Sequence, residues 1–186
     1  MALLNVIPRT WLALIAVMGT IVPRAAQGQT ADEYQVKAAY MYNFAKFVYW
    51  PAQSFDGPAQ PIVFCVLGQT PLSQALSDAL SGKVVDQRPL VFRQLTDGGQ
   101  AGKCQVLFVS LPDKKHLRQT LDGVKSLNVL TVGEVEDFTK EGGIVRFVLD
   151  AGRVRLEFNL DAAEGANLRV SSKLLSLATT VRNSSK

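Results

Sequence analysis

Few residues in this 186-residue chain are placed to do chemistry, and each of them has a plainer reading. The only histidine, His116, sits beside Lys114 and Lys115 on a predicted helix. A zinc site needs three or four His, Cys or carboxylate ligands, and a hydrolytic triad needs its histidine oriented by an acid. With no second histidine, His116 reads as a surface side chain. Ser171, Ser172 and Lys173 set hydroxyls beside an amine, as a Ser–Lys hydrolase does. Adjacent residues on a helix point in different directions, however, and a serine at a helix start is explained by its capping hydrogen bond. Carboxylates are numerous, but no spacing singles out a pair for acid–base work. Gly142-Gly143 lies between a short predicted helix and a strand, whereas a phosphate loop must follow a strand and open a helix. Gly98-Gly99 reads as a plain loop. The expectation is a protein without catalytic residues, metal or cofactor, and not an enzyme.

What the two cysteines do depends on where the chain resides. Residues Met1–Ile7 and Arg9 form a short n-region, Trp11–Val22 an apolar stretch of signal-peptide length, and Ala26-Gln27-Gly28 a small-residue cleavage pattern. The expected organisation is a signal peptide over 1–28 and one domain over 29–186. No cysteine follows the apolar stretch closely, which disfavours a lipid anchor. Cleavage would leave a chain exported from the cytoplasm. There Cys65 and Cys104 are free to pair, closing a loop of about 40 residues worth roughly 4 kcal/mol in the loop-closure model. The alternative is two buried free thiols. Cys65 falls inside one predicted strand and Cys104 at the start of another, so pairing demands a stagger between them. No Cys-x-x-Cys is present, which disfavours a thiol oxidoreductase.

Composition is that of a globular domain, with 47% hydrophobic and 19% charged residues. The formal charge is +4, and two of the basic residues, Arg9 and Arg24, belong to the leader. No run of five like charges occurs, so no nucleic-acid footprint is present.

Glu33–Trp50 organises the rest. Thr30 and Glu33 have capping-box spacing, Asp32 is a competing N-cap, and Pro51 stops the helix. Val36, Tyr40, Asn43/Phe44 and Phe47 recur with helical period, while Tyr34, Met41, Ala45, Val48 and Tyr49 make a second apolar side. A helix apolar nearly all round is buried or covered by another chain. After a linker, Pro51–Pro61, the chain alternates. Predicted strands are Ile62–Leu67, Arg88–Leu95, Gln105–Ser110, Asn128–Val132, Ile144–Leu149 and Val154–Asn159. Predicted helices run from Pro71 to Leu80, Pro112–Val124, Val135–Glu141 and Ser171–Val181. Asp150-Ala151-Gly152 makes a hairpin of the last two strands. In the second of these, Val154, Leu156 and Phe158 face inward, and Arg153, Arg155 and Glu157 face water. The pattern predicts a single-domain α/β sandwich: a mostly parallel sheet, an antiparallel C-terminal edge hairpin, and helices on both faces.

Several phrases together resemble the YfiR family of periplasmic signalling proteins. They are VKAAYMYNFAKFVYWP (Val36–Pro51), IVFCVLG (Ile62–Gly68), CQVLFVS (Cys104–Ser110), VLTVGEVEDFTKEGGIVRF (Val129–Phe147) and VRLEFNLDAA…LRVSSKLLSLA (Val154–Ala178). The resemblance implies a compact α/β fold and a periplasmic repressor of an inner-membrane diguanylate cyclase. Such a protein binds the cyclase's periplasmic sensor region and lowers cyclic di-GMP and biofilm formation. An outer-membrane lipoprotein that sequesters the repressor is a second implied partner, and family members can be homodimers. Cys65 and Cys104 look like a cysteine pair of the family, and a second pair found in some members is absent.

An exported chain can reach a cytoplasmic cyclase domain only through a receptor's outer portion, by binding its inactive state more tightly. Aromatic and arginine side chains dominate such contacts, which makes Tyr40, Phe47, Tyr49, Arg153 and Arg155 the candidate partner-binding residues. The alternative is a periplasmic small-molecule sensor with a crevice at the carboxyl ends of the strands, near Gly68–Thr70 or Ser110–Pro112.

Overall fold

Ile62–Leu67 forms strand β2, and all six of its side chains are buried. A run without polar alternation can be a strand only where both faces are covered. In the computed structural model, which describes residues 25–182, it is also hydrogen-bonded along both edges. Its parallel neighbours are β4 (Arg88–Leu95), in register Ile62↔Leu90, and β5 (Val106–Val109), in register Phe64↔Val106. Beyond β5 lie β6 (Leu130–Gly133) and β7 (Val145–Asp150), both parallel, then β8 (Arg153–Asn159), antiparallel to β7. The hairpin turn is tight because Ala151 and Gly152 both take positive φ, 45° and 74°.

At the far side β3 (Val84–Val85) runs antiparallel to β4. One strand lies outside the hairpin: β10 (Ala178–Arg182) pairs parallel to β8 and forms that edge of the sheet. A helix over Ser171–Val181 was the expectation. Instead α5 spans only Ser172–Leu175, capped by Ser171 Oγ, and the chain then extends. Thr179, Thr180 and Val181 are β-branched, and β8 offered an open edge; together these outweigh helix formation.

Two apolar clusters sandwich the sheet. One holds α1 (Ala25–Phe47), α2 (Leu72–Leu80), α4 (Leu160–Gly165) and α5 against Phe64, Phe108, Phe147 and Phe158. The other holds α3 (Lys114–Val124) and a 3-10 turn, Gly98–Lys103, against Val63, Cys65, Leu107 and Val109. Helix α3 starts two residues later than Pro112, because Asp113 accepts from the His116 amide and so caps it. The short helix α4, capped by Asn159, and β9 (Arg169–Val170) escaped the sequence reading.

The opening helix differs from expectation at both ends. It is already helical at Ala25, so Thr30 and Asp32 lie inside it rather than capping it. The apolar signal-peptide stretch Trp11–Val22 lies outside the described residues, and the proposed cleavage site falls in the helix's first turn. The helix ends at Phe47, because Val48–Tyr49 become strand β1 and pair antiparallel with β9. Its buried apolar face is Ala38, Met41, Phe44 and Ala45, a mixture of the two expected sides, and Val36 is exposed.

Cys65 and Cys104 are joined, with Cα atoms 5.9 Å apart. The 3-10 turn supplies the stagger: it ends at Cys104, two residues ahead of the start of β5, where Cys104 can reach Cys65 across the β2–β5 ladder. The linker Pro51–Pro61 is tied down by Arg88, which donates to the carbonyls of Gly57 (2.8 Å) and Gln60 (2.9 Å) and stacks on Phe55.

Val135–Glu141 is a series of turns rather than a helix, since Asp137 has φ 63°. That break drops Phe138 onto the sheet between Gly133 and Gly143. A Cβ on Gly143 would lie 2.1 Å from the ring, and one on Gly133 2.4 Å away. Gly142-Gly143 therefore does combine a turn, at Gly142 (φ 99°), with a close approach, at Gly143. Gly143→Ala should cost about 1–3 kcal/mol through overpacking, read as a fall in the urea midpoint at unchanged slope.

Candidate functional site

The five residues expected to contact a partner do not converge on one spot. Tyr40 is half-buried and packs on Phe147, ring centroids 6.2 Å apart. Phe47 is half-buried, and its carbonyl accepts from the Ser171 amide at 2.9 Å. Tyr49 is 52% exposed at the end of β1. Directly across the β1–β9 ladder stands Arg169, its guanidinium 5.8 Å from the Tyr49 ring centroid. In the last turn of α1, the Lys46 ammonium lies 4.2 Å from the centroid of Tyr42, one turn earlier. The last turns of α1 and the β1–β9 ladder thus each carry an aromatic ring with a cation near its face.

Arg153 sits elsewhere, at the hairpin tip. It shares a cavity of about 390 Å³ with Asp32, Glu33, Val36 and the exposed Leu149. Arg155 alternates with Val154 and Leu156, which pack beneath the α1 layer, so it faces the opposite side of the sheet. Its neighbour Glu157, expected in water, is 5% exposed. It accepts from Arg146 at 2.7–2.9 Å and from the Thr139 hydroxyl at 2.5 Å. The turns over 135–141 cover that part of the sheet, which period-two alternation could not foretell. Arg169 was missed as well; the only sequence signal was a polar residue two positions before a serine cap.

Helix α1 is fastened by charge as well as by packing. Lys37, 4% exposed, lies 2.5 Å from both Glu33, one turn earlier, and Glu134, which follows β6. Its ammonium is also 4.7 Å from the Tyr34 ring centroid. Burial opposes the lysine charge, but the hydrogen bonds to Glu134 and Glu33 outweigh it, and the pKa lies above the ordinary value. Burial, with Glu134 second, raises the Tyr34 hydroxyl in the same cluster. These residues join α1 to the carboxyl end of the parallel sheet.

Among the described residues no group of three His, Cys, Asp or Glu could hold a metal ion. Nor is any helix there long and apolar enough to cross a membrane. His116 is exposed and held by Asp113, and Ser171 is spent on its cap.

Structure comparison places the class first: a mixed α/β domain with a mostly parallel sheet. A conserved domain protein of Vibrio cholerae aligns at TM-score 0.54 with 12% identity, over 80% of this chain and 60% of its own. This chain therefore spans about 60% of that protein's length. An ABC domain from Streptococcus pneumonia, solved with L-Trp, aligns at only 0.46 with 8% identity, over 64% of this chain and 55% of its own. None of the curated proteins matches the chain. The particular family follows from sequence. A model of the YfiR/HmsC-like family matches residues 34–179, and the chain belongs to that family. It is a family of regulatory proteins rather than enzymes.

Removing the cation at position 37 leaves Glu33 and Glu134 facing each other without compensation. Lys37→Met should cost about 2–3 kcal/mol at pH 7, somewhat less than the roughly 3–5 kcal/mol for breaking a fully buried pair, since both carboxylates keep some solvent. A lysine pKa raised by folding gives stability that is complete below the unfolded pKa of about 10.4 and is lost as pH rises through the folded value. Urea titrations of both proteins should therefore converge as pH climbs above that point.

Proposed function

We propose that this protein is an exported repressor that binds the periplasmic sensor region of an inner-membrane diguanylate cyclase, lowering cyclic di-GMP and biofilm formation. The family match over residues 34–179 carries this reading. The leader-like N-terminus and the Cys65–Cys104 bond support export, since disulfides persist in oxidising compartments. An outer-membrane lipoprotein that competes for the repressor, and a second copy of the chain, are the further partners the family suggests.

The contact surface we assign is the end of α1 with the β1–β9 ladder. Tyr49 and Arg169 are an exposed aromatic–guanidinium pair of the kind that anchors interfaces, with Phe47 and Tyr40 as half-buried support. Arg153 and Arg155, separated from this patch, take secondary roles at most. A repressor acting through a receptor's outer part must hold the inactive state by differential affinity. Shifting a receptor from 1:99 to 99:1 takes about 5.5 kcal/mol of it. A few buried aromatic anchors can supply that.

Deleting the gene in its host should raise cyclic di-GMP and biofilm, and the wild-type chain should restore both. Tyr49→Ala should leave stability within about 0.5–1 kcal/mol, because the ring is largely exposed and its cation contact weak. It should nonetheless fail to restore repression. The assigned surface is wrong if folded Tyr49→Ala represses normally, and the function itself is wrong if deletion leaves cyclic di-GMP unchanged.

A further inference from the structure

On the side of the sheet away from α1, a cavity of about 580 Å³ opens between α3 and the 3-10 turn Gly98–Lys103. It abuts the carboxyl ends of β2 and β4, at Leu67 and Thr96-Asp97, and the residue following the β5 exit, Leu111. The strand order makes this a special place. From β2 the chain crosses to β4 on one flank and then returns to β5 on the other. Open α/β sheets bind ligands outside the carboxyl ends of the strands at such a reversal. The volume lies within the roughly 300–1,000 Å³ of small-molecule pockets.

The lining has two halves. Leu67, Leu111, Val124 and Leu127 are apolar. Gly98, Gly99, Gly102 and Gly123 contribute backbone alone, and this absence of side chains keeps the space open. A Cβ on Gly123 would meet nothing within 4 Å. The polar groups are Asp97, Gln119, Thr120 and His116. His116 is already engaged by Asp113. Asp97 uses one carboxylate oxygen to accept the Gly99 amide at 2.7 Å, and among the described residues no cation pairs with it. Asp97 thus stands exposed at the rim, with its second carboxylate oxygen open to a ligand's donor beside an apolar surface.

We propose that this cavity binds a small primary amine with an apolar body, its ammonium on Asp97 and its body against Leu67, Leu111, Val124 and Leu127. A single charge-assisted hydrogen bond sets the orientation and the apolar wall supplies the contact area. This site is independent of the repressor reading: it lies across the sheet from the Tyr49 patch and stands or falls on binding alone.

The probe is phenethylamine, with 2-phenylethanol and 3-phenylpropionate as neutral and anionic counterparts, titrated into the disulfide-bonded protein by calorimetry and by amide NMR. The amine should bind with a Kd of about 1 mM or tighter, shift the amides of Gly98, Gly99 and Gly123, and exceed both counterparts about tenfold. Asp97→Asn keeps the capping acceptor, since Asn caps as well as Asp, and should weaken the amine about tenfold without affecting the alcohol. Gly123→Leu fills the cavity at a helix position where leucine is favoured over glycine, and should abolish binding. Equal binding of amine and alcohol, an unchanged Asp97→Asn affinity, amide shifts confined to other regions, or no binding by the amine at all each overturns the proposal.

Discussion

Backbone pairing on both edges of β2, together with apolar cover on both its faces, is the constraint the rest of the molecule satisfies. A strand with no polar side chain leaves only its amides and carbonyls to bond, and an unpaired one in that interior would cost on the order of 1–3 kcal/mol. β4 pairs in consecutive register from Ile62 to Leu67 and β5 from Phe64 to Leu67, while the Gln105 side chain accepts the Val63 amide. The alternation of side chains then dictates two layers. Ile62, Phe64 and Val66 require α1 and α2, while Val63, Cys65 and Leu67 require α3 and the 3-10 turn. The disulfide closes the second layer where it is thinnest, between the strand and the turn that leads into β5.

Where packing alone decided the outcome, the sequence was readable. β2 and β4 occupy the spans that their apolar runs and bounding turns indicate. The hairpin at Ala151-Gly152 was legible from local turn chemistry, whereas the start of α3 was read at Pro112 because the Asp113 cap went unrecognised. The other misreadings come from long-range competition. Thr179–Val181 could be helix or strand, and only the presence of β8 settles it. Val48–Tyr49 continue a helical pattern, yet Arg169–Val170 draws them into a ladder. Glu157 alternates like a surface residue, but a turn distant in sequence lowers Thr139 and Phe138 onto its side of the sheet.

The exposure of the candidate residues was not legible in the sequence. Aromatic richness in α1 pointed to a crowded helix, but the buried face runs through Ala38, Met41, Phe44 and Ala45 and leaves Val36 outside. Tyr49 is exposed because the chain leaves the helix two residues before it. Arg169 faces it only because of the β1–β9 pairing, and no sequence spacing encodes that. The domain thereby presents two chemically distinct sides: one beside α1 with aromatic rings and cations near their faces, and one behind α3 with a glycine-walled cavity.

The two margins of the sheet are unequal. β3 has two residues, too few to template a neighbouring strand, whereas β10 has five and, among the described residues, pairs only on the β8 side. Beyond β3, Val91–Leu95 of β4 pair only with β2 among the described residues, so each margin keeps a stretch of backbone that no neighbouring strand satisfies. The short β3 and the proline at Pro89 guard only the start of the β4 side, while the β-branched run Thr179–Val181 carries the other to the end of β10.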